Sequence, residues 1–260
     1  MISVGFIGFG KMAQAIVAGW NSSSLHADLQ VFAYAPHQDK LKANCEKFDV
    51  VPCASAAELC SKSETVILAC KPAQVSSVLE ECRDALEGRF VICLAAGITH
   101  QILDGALEDV AHVSIMPNTA MAVHAGTLVV ETPNTMSAAD EKLLEELFSP
   151  ISSIVSVPDS LFGIAGTISG CGPAFLGLFA EALADAGVKY GLPRASAAKL
   201  AAGAVYGAGA MLLQDGVEPA VFKNEICSPG GTTIRGIVTL EKDGFRKAVI
   251  EAIEAIQEKK

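Results

Sequence analysis

Seven short apolar runs punctuate the first 157 residues of this chain, and strand-like runs stop after them: "SVGFI", "LQVFAY", "TVILAC", "FVICLAA", "HVSIMP", "GTLVV" and "SSIVSV". Most are continuously apolar rather than alternating, which is the pattern of strands buried on both faces. Stretches of helical periodicity lie between them: Lys11–Trp20, Asp39–Phe48, Ala73–Leu86 and Ala138–Phe148. Strand, helix, strand, helix requires crossover connections. Those produce a mainly parallel sheet, doubly wound, with helices on its faces.

After Pro158 the texture changes. Long Ala- and Gly-rich helical stretches take over: Ala174–Lys189, Ala195–Leu213 opened by Pro193, a segment from Thr233, and Gly244–Lys260. The last carries Phe245, Val249, Ile253 and Ile256 on one face, with Glu251, Glu254 and Glu258 opposite. We therefore divide the chain into an α/β domain, residues 1–158, and an all-α domain, residues 159–260. The run Leu161–Ala180 is uncharged and long enough to span a bilayer. Its five glycines and Pro173, followed at once by Glu181 and Asp185, point instead to the end of one buried helix, a break, and the start of another. In "AKLAAGAVYGAGAMLL", Gly203, Gly207 and Gly209 each cost roughly 1 kcal/mol of helix stability relative to Ala. Small residues at this spacing let another helix come very close, either within the α domain or from a second subunit. So much apolar, small-residue surface on one helical domain favours a homodimer.

Of the 260 residues, 51% are hydrophobic, enough for a sizeable core, and the net charge is −10. That balance argues against nucleic acid or an anionic membrane as partner, because both need clustered Lys and Arg. A small anionic ligand could bind only through local backbone amides and a few cations. The eight cysteines include no C-x-x-C pair, and none sits at zinc-finger spacing with the five histidines. Several lie in apolar runs, so we expect reduced, mostly buried thiols, no metal site and a cytoplasmic protein. No basic region precedes the first apolar stretch, so a secretory signal is not expected.

"VGFIGFGKMAQAI" reads as a strand, then Gly8-x-Gly10-x-x-Ala13, then a helix. Gly8 permits the tight turn, Gly10 lets the backbone approach a pyrophosphate, and Ala13 lets the helix sit close to the strand. Ile7, Phe9, Lys11 and Met12 complete the turn and belong to the candidate cofactor site. NAD binding calls for an acid at the end of the second strand, but Ala33, Tyr34, Ala35 and Pro36 stand there. Ala35 is a candidate contact. The missing acid, with His37 and Lys40 nearby, favours NADP(H), with NAD(H) the alternative. His37 and Lys40 serve equally well as an exposed loop and a helix start. Three further strand ends carry turn chemistry: "LACKPAQ" with Ala69, Cys70, Lys71 and Pro72, "LAAGIT" with Ala95, Ala96 and Gly97, and "IMPNTA" with Asn118. Each could be an ordinary loop. Together they line the rim where open parallel sheets bind ligands.

Late in the chain, "ICSPGGTTIRG" opens another helix. It is either a tight turn with a cap or a set of bare amides and hydroxyls aimed at an anion.

In order and spacing, "GFIGFGKM", "ACKPAQ", "AAGI", "MPNTA", "SGCGPAF" and "CSPGGTTIRG" resemble the pyrroline-5-carboxylate reductases, over essentially the whole chain. The resemblance implies reduction of the cyclic imine 1-pyrroline-5-carboxylate to L-proline, the last step of proline synthesis, by NAD(P)H. It implies a Rossmann-type domain followed by a helical domain that builds an intertwined homodimer, and larger rings of dimers such as a decamer. By the same resemblance, the amides around Gly230, Gly231 and Thr232, with Ser228 beside them, hold the substrate carboxylate. Physics agrees, since a helix N-terminus stabilises an anion without a buried lysine. Thr233 is implied as the catalytic residue, its hydroxyl bonding the ring nitrogen and placed to pass it a proton. Its other reading is a helix cap worth roughly 1 kcal/mol. The nicotinamide end is implied near Ala69, Lys71, Pro72, Ala96 and Gly97, with Asn118 close, although Lys71 also suits a surface position. Ser169, Gly172 and Pro173 read as structural, with the serine as N-cap and the proline in the first helical turn.

Two residues depart from the family pattern. Cys171 stands where a serine or another small residue is frequent. Glu225 stands where a neutral one is common, and it should face outward, since in the pocket it would repel the substrate carboxylate. A hydroxyacid dehydrogenase using Lys189 or Lys199 is a competing reading, and a non-catalytic nucleotide sensor is another. The intact "SPGGTT" speaks against the sensor.

Overall fold

The structure is a computed structural model that describes residues 1–214 and 216–258. The chain enters on strand β1 (Ile2–Ile7), helix α1 (Lys11–Asn21), β2 (Leu29–Tyr34) and α2 (Gln38–Phe48). It continues through β3 (Val51–Pro52), α3 (Ala56–Lys62), β4 (Thr65–Leu68), α4 (Pro72–Cys82) and β5 (Phe90–Cys93). There follow α5 (His100–Asp104), β6 (His112–Pro117), β7 (Gly126–Thr132), α6 (Ala138–Phe148) and β8 (Ser152–Pro158). The strands form one sheet in the order β3-β2-β1-β4-β5-β6-β7-β8. Every adjacent pair is parallel except β6 with β7, where Ile115 lies opposite Val130. The crossing from β3 back to β4, beside β1, creates a switch point at the β1–β4 edge, where such sheets bind ligands.

The continuous apolar runs are explained by burial on both faces. Phe6, Ile67 and Ile92 join one core cluster with Trp20 and Phe148, while their chain neighbours Ile7, Leu68 and Cys93 join a second cluster with Leu59 and Leu79. Successive strand residues point to opposite faces, so a two-faced sheet needs apolar residues at every position. Trp20 is fully buried, and its indole N–H donates to the Leu147 carbonyl at 2.6 Å. Ser137 opens α6 by accepting the Asp140 N–H, and Asp140 Oδ2 in turn accepts the Ser137 N–H. The predicted helix Ala138–Phe148 has those bounds. Strand β3 escaped sequence reading because two residues carry no period.

The remaining helices are α7 (Asp159–Lys189), α8 (Arg194–Leu212), α9 (Pro219–Ile226), α10 (Thr232–Lys242) and α11 (Phe245–Gln257). The predicted final helix, Gly244–Lys260, ends in positions 259 and 260, which lie outside the described residues. By contacts the chain separates into two compact units, Met1–Gly170 and Cys171–Lys260, with the division inside α7.

Two expectations fail along α7. The break predicted within Leu161–Ala180 is absent, and Ser169 is an interior residue, not an N-cap. Pro173 lacks an N–H, so the Ser169 carbonyl loses its intrahelical partner. The side-chain amide of Asn118 replaces that partner, donating to Ser169 O at 3.0 Å. With the carbonyl satisfied, the helix runs on through the proline. Nor is the helix buried, for Ile168 and Leu178 are 59% and 68% exposed. By length and composition α7 is also apolar enough to cross a membrane.

In the second unit the buried core is small: Ala184, Ala197 and Ala201, flanked by Ala180 and Val188. Leu200, Tyr206, Met211, Leu213, Val238 and Ile250 are exposed.

Candidate active site

The turn after β1 has the backbone that its glycines allow. Gly8 has φ +97°, and a Cβ there would lie 2.7 Å from the Ala69 carbonyl carbon. Its N–H donates to Tyr34 O at 2.7 Å, while the Ala69 N–H donates to Ile7 O at 2.9 Å. The ends of β1, β2 and β4 are thereby locked edge to edge. Gly10 takes the N-cap position of α1 with no side chain over it, and nothing lies within 4 Å of where its Cβ would be. The first amides of α1 are therefore open to an anion. Ala13 is fully buried beneath the turn, as the close helix–strand approach requires.

The other rim loops start as expected. Pro72 is the first residue of α4, and exposed Lys71 sits at its N-cap, its N–H donating to Gln74 Oε1 at 3.2 Å. Gly97 turns at φ +78°. At the end of β2 the chain passes Ala35 and Pro36 to His37, the N-cap of α2, and Asp39 falls in the first turn of that helix. His37 and Lys40 are both exposed.

A cleft of about 250 Å³ lies at these strand ends within the first unit, and Gly8, Gly10, Lys71, Pro72, Gly97 and Ala35 are not among the residues that line it. Met12, Ala69, Cys70 and Ala96, all read from the sequence, line it together with Leu94, Met116, Pro117 and Gly166, which were not. The bare Gly166 backbone gives the Met116 thioether its seat; a Cβ there would meet the sulfur. Sequence reading passed over Met116 because it looks like core, and over Gly166 because α7 was not recognised as continuous. Burial raises the Cys70 thiol above its ordinary range, which makes it a wall rather than a nucleophile. A larger hollow of about 400 Å³ opens beside Arg83, Asp84, Glu87, Glu108 and Asp109. Its acidic rim is wrong for an anionic dinucleotide, so the smaller cleft at the strand ends is the candidate site.

Asn118 is 6% exposed, and its side-chain amide is bonded to protein at both ends. Oδ1 accepts the N–H groups of Ala120 and Thr127, at 3.2 and 3.3 Å, and Nδ2 holds Ser169. Through these bonds Asn118 also ties the loop after β6 to α7.

The second unit carries the other candidate loop. Gly231 is the N-cap of α10, with no side-chain hydrogen bond over the helix start. Gly230 has φ +69°, the Gly231 N–H donates to Ser228 O at 3.0 Å, and a Cβ on Gly231 would lie 2.5 Å from Ser228 Oγ. The loop thus closes on itself and leaves the amides of Thr232 and Thr233 facing out. Thr233 is exposed in the first turn and is not the cap, so the reading of its hydroxyl as an N-cap fails. Glu225 is exposed on α9. Lys189 lies over the Tyr190 ring, 5.8 Å from its centroid.

Among the described residues, His100, Asp104 and His112 place donor atoms within 4.8 Å of one another. His100 Nδ1 and His112 Nε2 are already hydrogen-bonded to each other at 3.2 Å, and His112 Nδ1 donates to Val110 O. The two rings form a satisfied internal pair.

A family model described as pyrroline-5-carboxylate reductase dimerisation matches residues 159–260. One described as NADP oxidoreductase, coenzyme F420-dependent, matches residues 3–97. The pyrroline-5-carboxylate reductase of Treponema pallidum is 39% identical over 98% of this chain and 98% of its own length. That of Escherichia coli is 37% identical over 98% of this chain and 96% of its own. The crystal structure of the Plasmodium falciparum pyrroline carboxylate reductase with NADP bound matches at TM-score 0.85 and 29% identity, covering 99% of this chain and 96% of that one.

Proposed function

Because the chain belongs to the pyrroline-5-carboxylate reductase family, a family of pyridine-nucleotide oxidoreductases, we propose that it reduces 1-pyrroline-5-carboxylate to L-proline, as the final step of proline synthesis. The observation that carries this reading is identity of 39% and 37% to reductases of that name over 98% of the chain. NADP(H) is the proposed cofactor, with NAD(H) the weaker one, because β2 ends without an acid and with His37 and Lys40 exposed nearby.

The residues present fit a dinucleotide. Gly8 occupies a space that no side chain could share, and Gly10 leaves the amides of α1 uncovered. Ile7 to Met12 would hold the pyrophosphate and Ala35 the adenosine side. Ala69, Cys70, Lys71, Pro72, Ala95, Ala96 and Gly97 would hold the nicotinamide end, with Asn118 close. When bound, the cofactor supplies a hydride to the imine carbon.

The chain's own residues have two further tasks: to hold the substrate carboxylate and to manage the proton that the ring nitrogen gains. The loop at Gly230, Gly231 and Thr232, with Ser228 beside it, suits the carboxylate: the Gly231 N–H is taken by Ser228 O, but the Thr232 amide is free at a helix start that attracts negative charge. The Thr233 hydroxyl, exposed in the first turn of α10, suits the ring nitrogen. Small-residue α8 suits a partner subunit: nothing lies within 4 Å of a Cβ built on Gly203, Gly207 or Gly209. We read the assembly as a cytoplasmic homodimer without a membrane partner, able to build a larger ring such as a decamer.

The test is consumption of NADPH and of NADH, side by side, with 1-pyrroline-5-carboxylate, and identification of the product. Proline formed faster with NADPH is expected. No proline with either cofactor would end the reading, and a higher kcat/KM with NADH would end only the cofactor preference.

A further inference from the structure

Beneath the loop Leu94–Thr99, which joins β5 to α5, lies a carboxyl group that the reaction above does not use. Glu131, on β7, is 0% exposed. Its Oε2 accepts the backbone N–H of His100 at 2.7 Å, and its Oε1 has no hydrogen-bond partner among the described residues. The titratable and charged groups that face it are the His100 ring from α5, Asp159 from the start of α7 and the Cys93 thiol from β5. Among the described residues, none of these groups is a lysine or an arginine. A buried acid without a cation is costly, so its presence calls for a task.

What it holds identifies the task. His100 is the first residue after the loop. Two residues earlier, the Ile98 carbonyl accepts the hydroxyl of Ser114, on neighbouring β6, at 2.9 Å. Ser114 also lies beside the Glu131 carboxyl. Adjacent strands therefore pin the returning limb of the loop at two points. Between those points and the end of β5 lies the turn Ala95–Ile98, closed by the Ile98 N–H on Ala95 O at 3.1 Å. That turn contains Ala96, which lines the cleft, and Gly97 at φ +78°.

We propose that Glu131 is a positioning residue for the nicotinamide end of the cofactor. By holding the His100 N–H, in concert with Ser114 on Ile98, it fixes the Ala95–Gly97 turn in the shape that receives the ring. The proposal rests on the reading of that turn as a cofactor contact. A glutamine at 131 keeps an acceptor for His100 and a donor toward Ser114, so it should do the same work. A leucine fills the space and holds nothing.

The experiment measures NADPH binding directly by fluorescence, with steady-state kinetics and thermal melting, on the full chain. Glu131→Leu should weaken NADPH binding about tenfold, the scale of one buried hydrogen bond lost. At saturating NADPH its KM for 1-pyrroline-5-carboxylate should stay within about twofold of wild type, because the substrate loop is built elsewhere. Glu131→Gln should bind NADPH within about twofold of wild type. Should the leucine variant not fold, Ser114→Ala frees Ile98 on the same limb and should weaken NADPH binding in the same direction. Glu131→Leu, or in its place Ser114→Ala, binding NADPH as tightly as wild type while melting earlier would overturn the proposal. So would a glutamine variant as weak as the leucine one. A wild-type chain that does not bind NADPH would sink the cofactor reading itself, and the proposal with it.

Discussion

At the scale of single residues, chemistry separates from support. Thr233 is proposed to act on the substrate, and its hydroxyl is not needed to cap α10, where Gly231 already serves. Thr233→Ala should therefore lower kcat and kcat/KM together, by about 10²-fold at the low end of proton-donor effects, and leave the melting temperature nearly unchanged. Thr233→Ser should retain most activity. Wild-type kinetics in the alanine variant would leave the loop with its amides alone. Two buried groups near the Leu94–Thr99 loop are shifted in opposite directions. Burial raises the Glu131 carboxyl above the ordinary 4.5, and burial also lowers the His112 imidazole below 6.5. A raised folded-state pKa means stability that is full below the unfolded value and lost as pH rises through the folded one. A lowered pKa means stability that is full above the unfolded value and lost as pH falls through the folded one. The advantage of Glu131→Gln over wild type in melting temperature should thus grow as pH rises from 4.5 and then level off. A pH-independent difference would show that Glu131 stays in one protonation state across that range.

At the scale of elements, α7 is decided by one distant side chain. Asn118 Nδ2 serves the carbonyl that Pro173 strands, and Oδ1 of the same amide caps the turn after β6. Asn118→Ala should cost about 1–3 kcal/mol, the range for a polar group left buried and unpaired. In a Pro173→Ala background the new backbone N–H reaches Ser169 O, so the same substitution should cost about 1 kcal/mol less. Urea unfolding of the four chains measures the coupling, and equal costs in both backgrounds would sever Asn118 from the proline. The same contact seats Ser169 one turn beyond Gly166, whose bare backbone receives Met116 at the cleft. A wall of the candidate site thus depends on a helix whose sequence argues for a break.

At the scale of the whole molecule, the helical unit buries little on its own. Among the described residues, three alanines are its buried core, while Leu200, Tyr206, Met211 and Leu213 are exposed along α8 and just past its end. Such a surface suits the proposed homodimer, and a family model described as dimerisation matches this region. Gly207→Leu should shift the chain toward monomer in sedimentation velocity, since a close helix contact cannot absorb that volume. It should leave the monomer folded, because nothing lies within 4 Å of that position. An unchanged dimer would move the interface off this face of α8. The sequence by itself determined whatever is recorded within one element or one turn. The two-faced strands follow from unbroken apolar runs, the turn at Gly8 from the only residue that takes φ +97° freely, and the bare start of α10 from adjacent glycines. Only the tertiary structure decided the antiparallel entry of β7, the passage of α7 through Pro173, the Met116–Gly166 wall and the burial of Glu131 under the Leu94–Thr99 loop. Each depends on a partner far away in the chain, as Asn118 is from Ser169. A local pattern states that a carbonyl has lost its donor or that an acid stands in a strand. It cannot state that folding brings up the group that satisfies the one, or the backbone N–H that the other accepts.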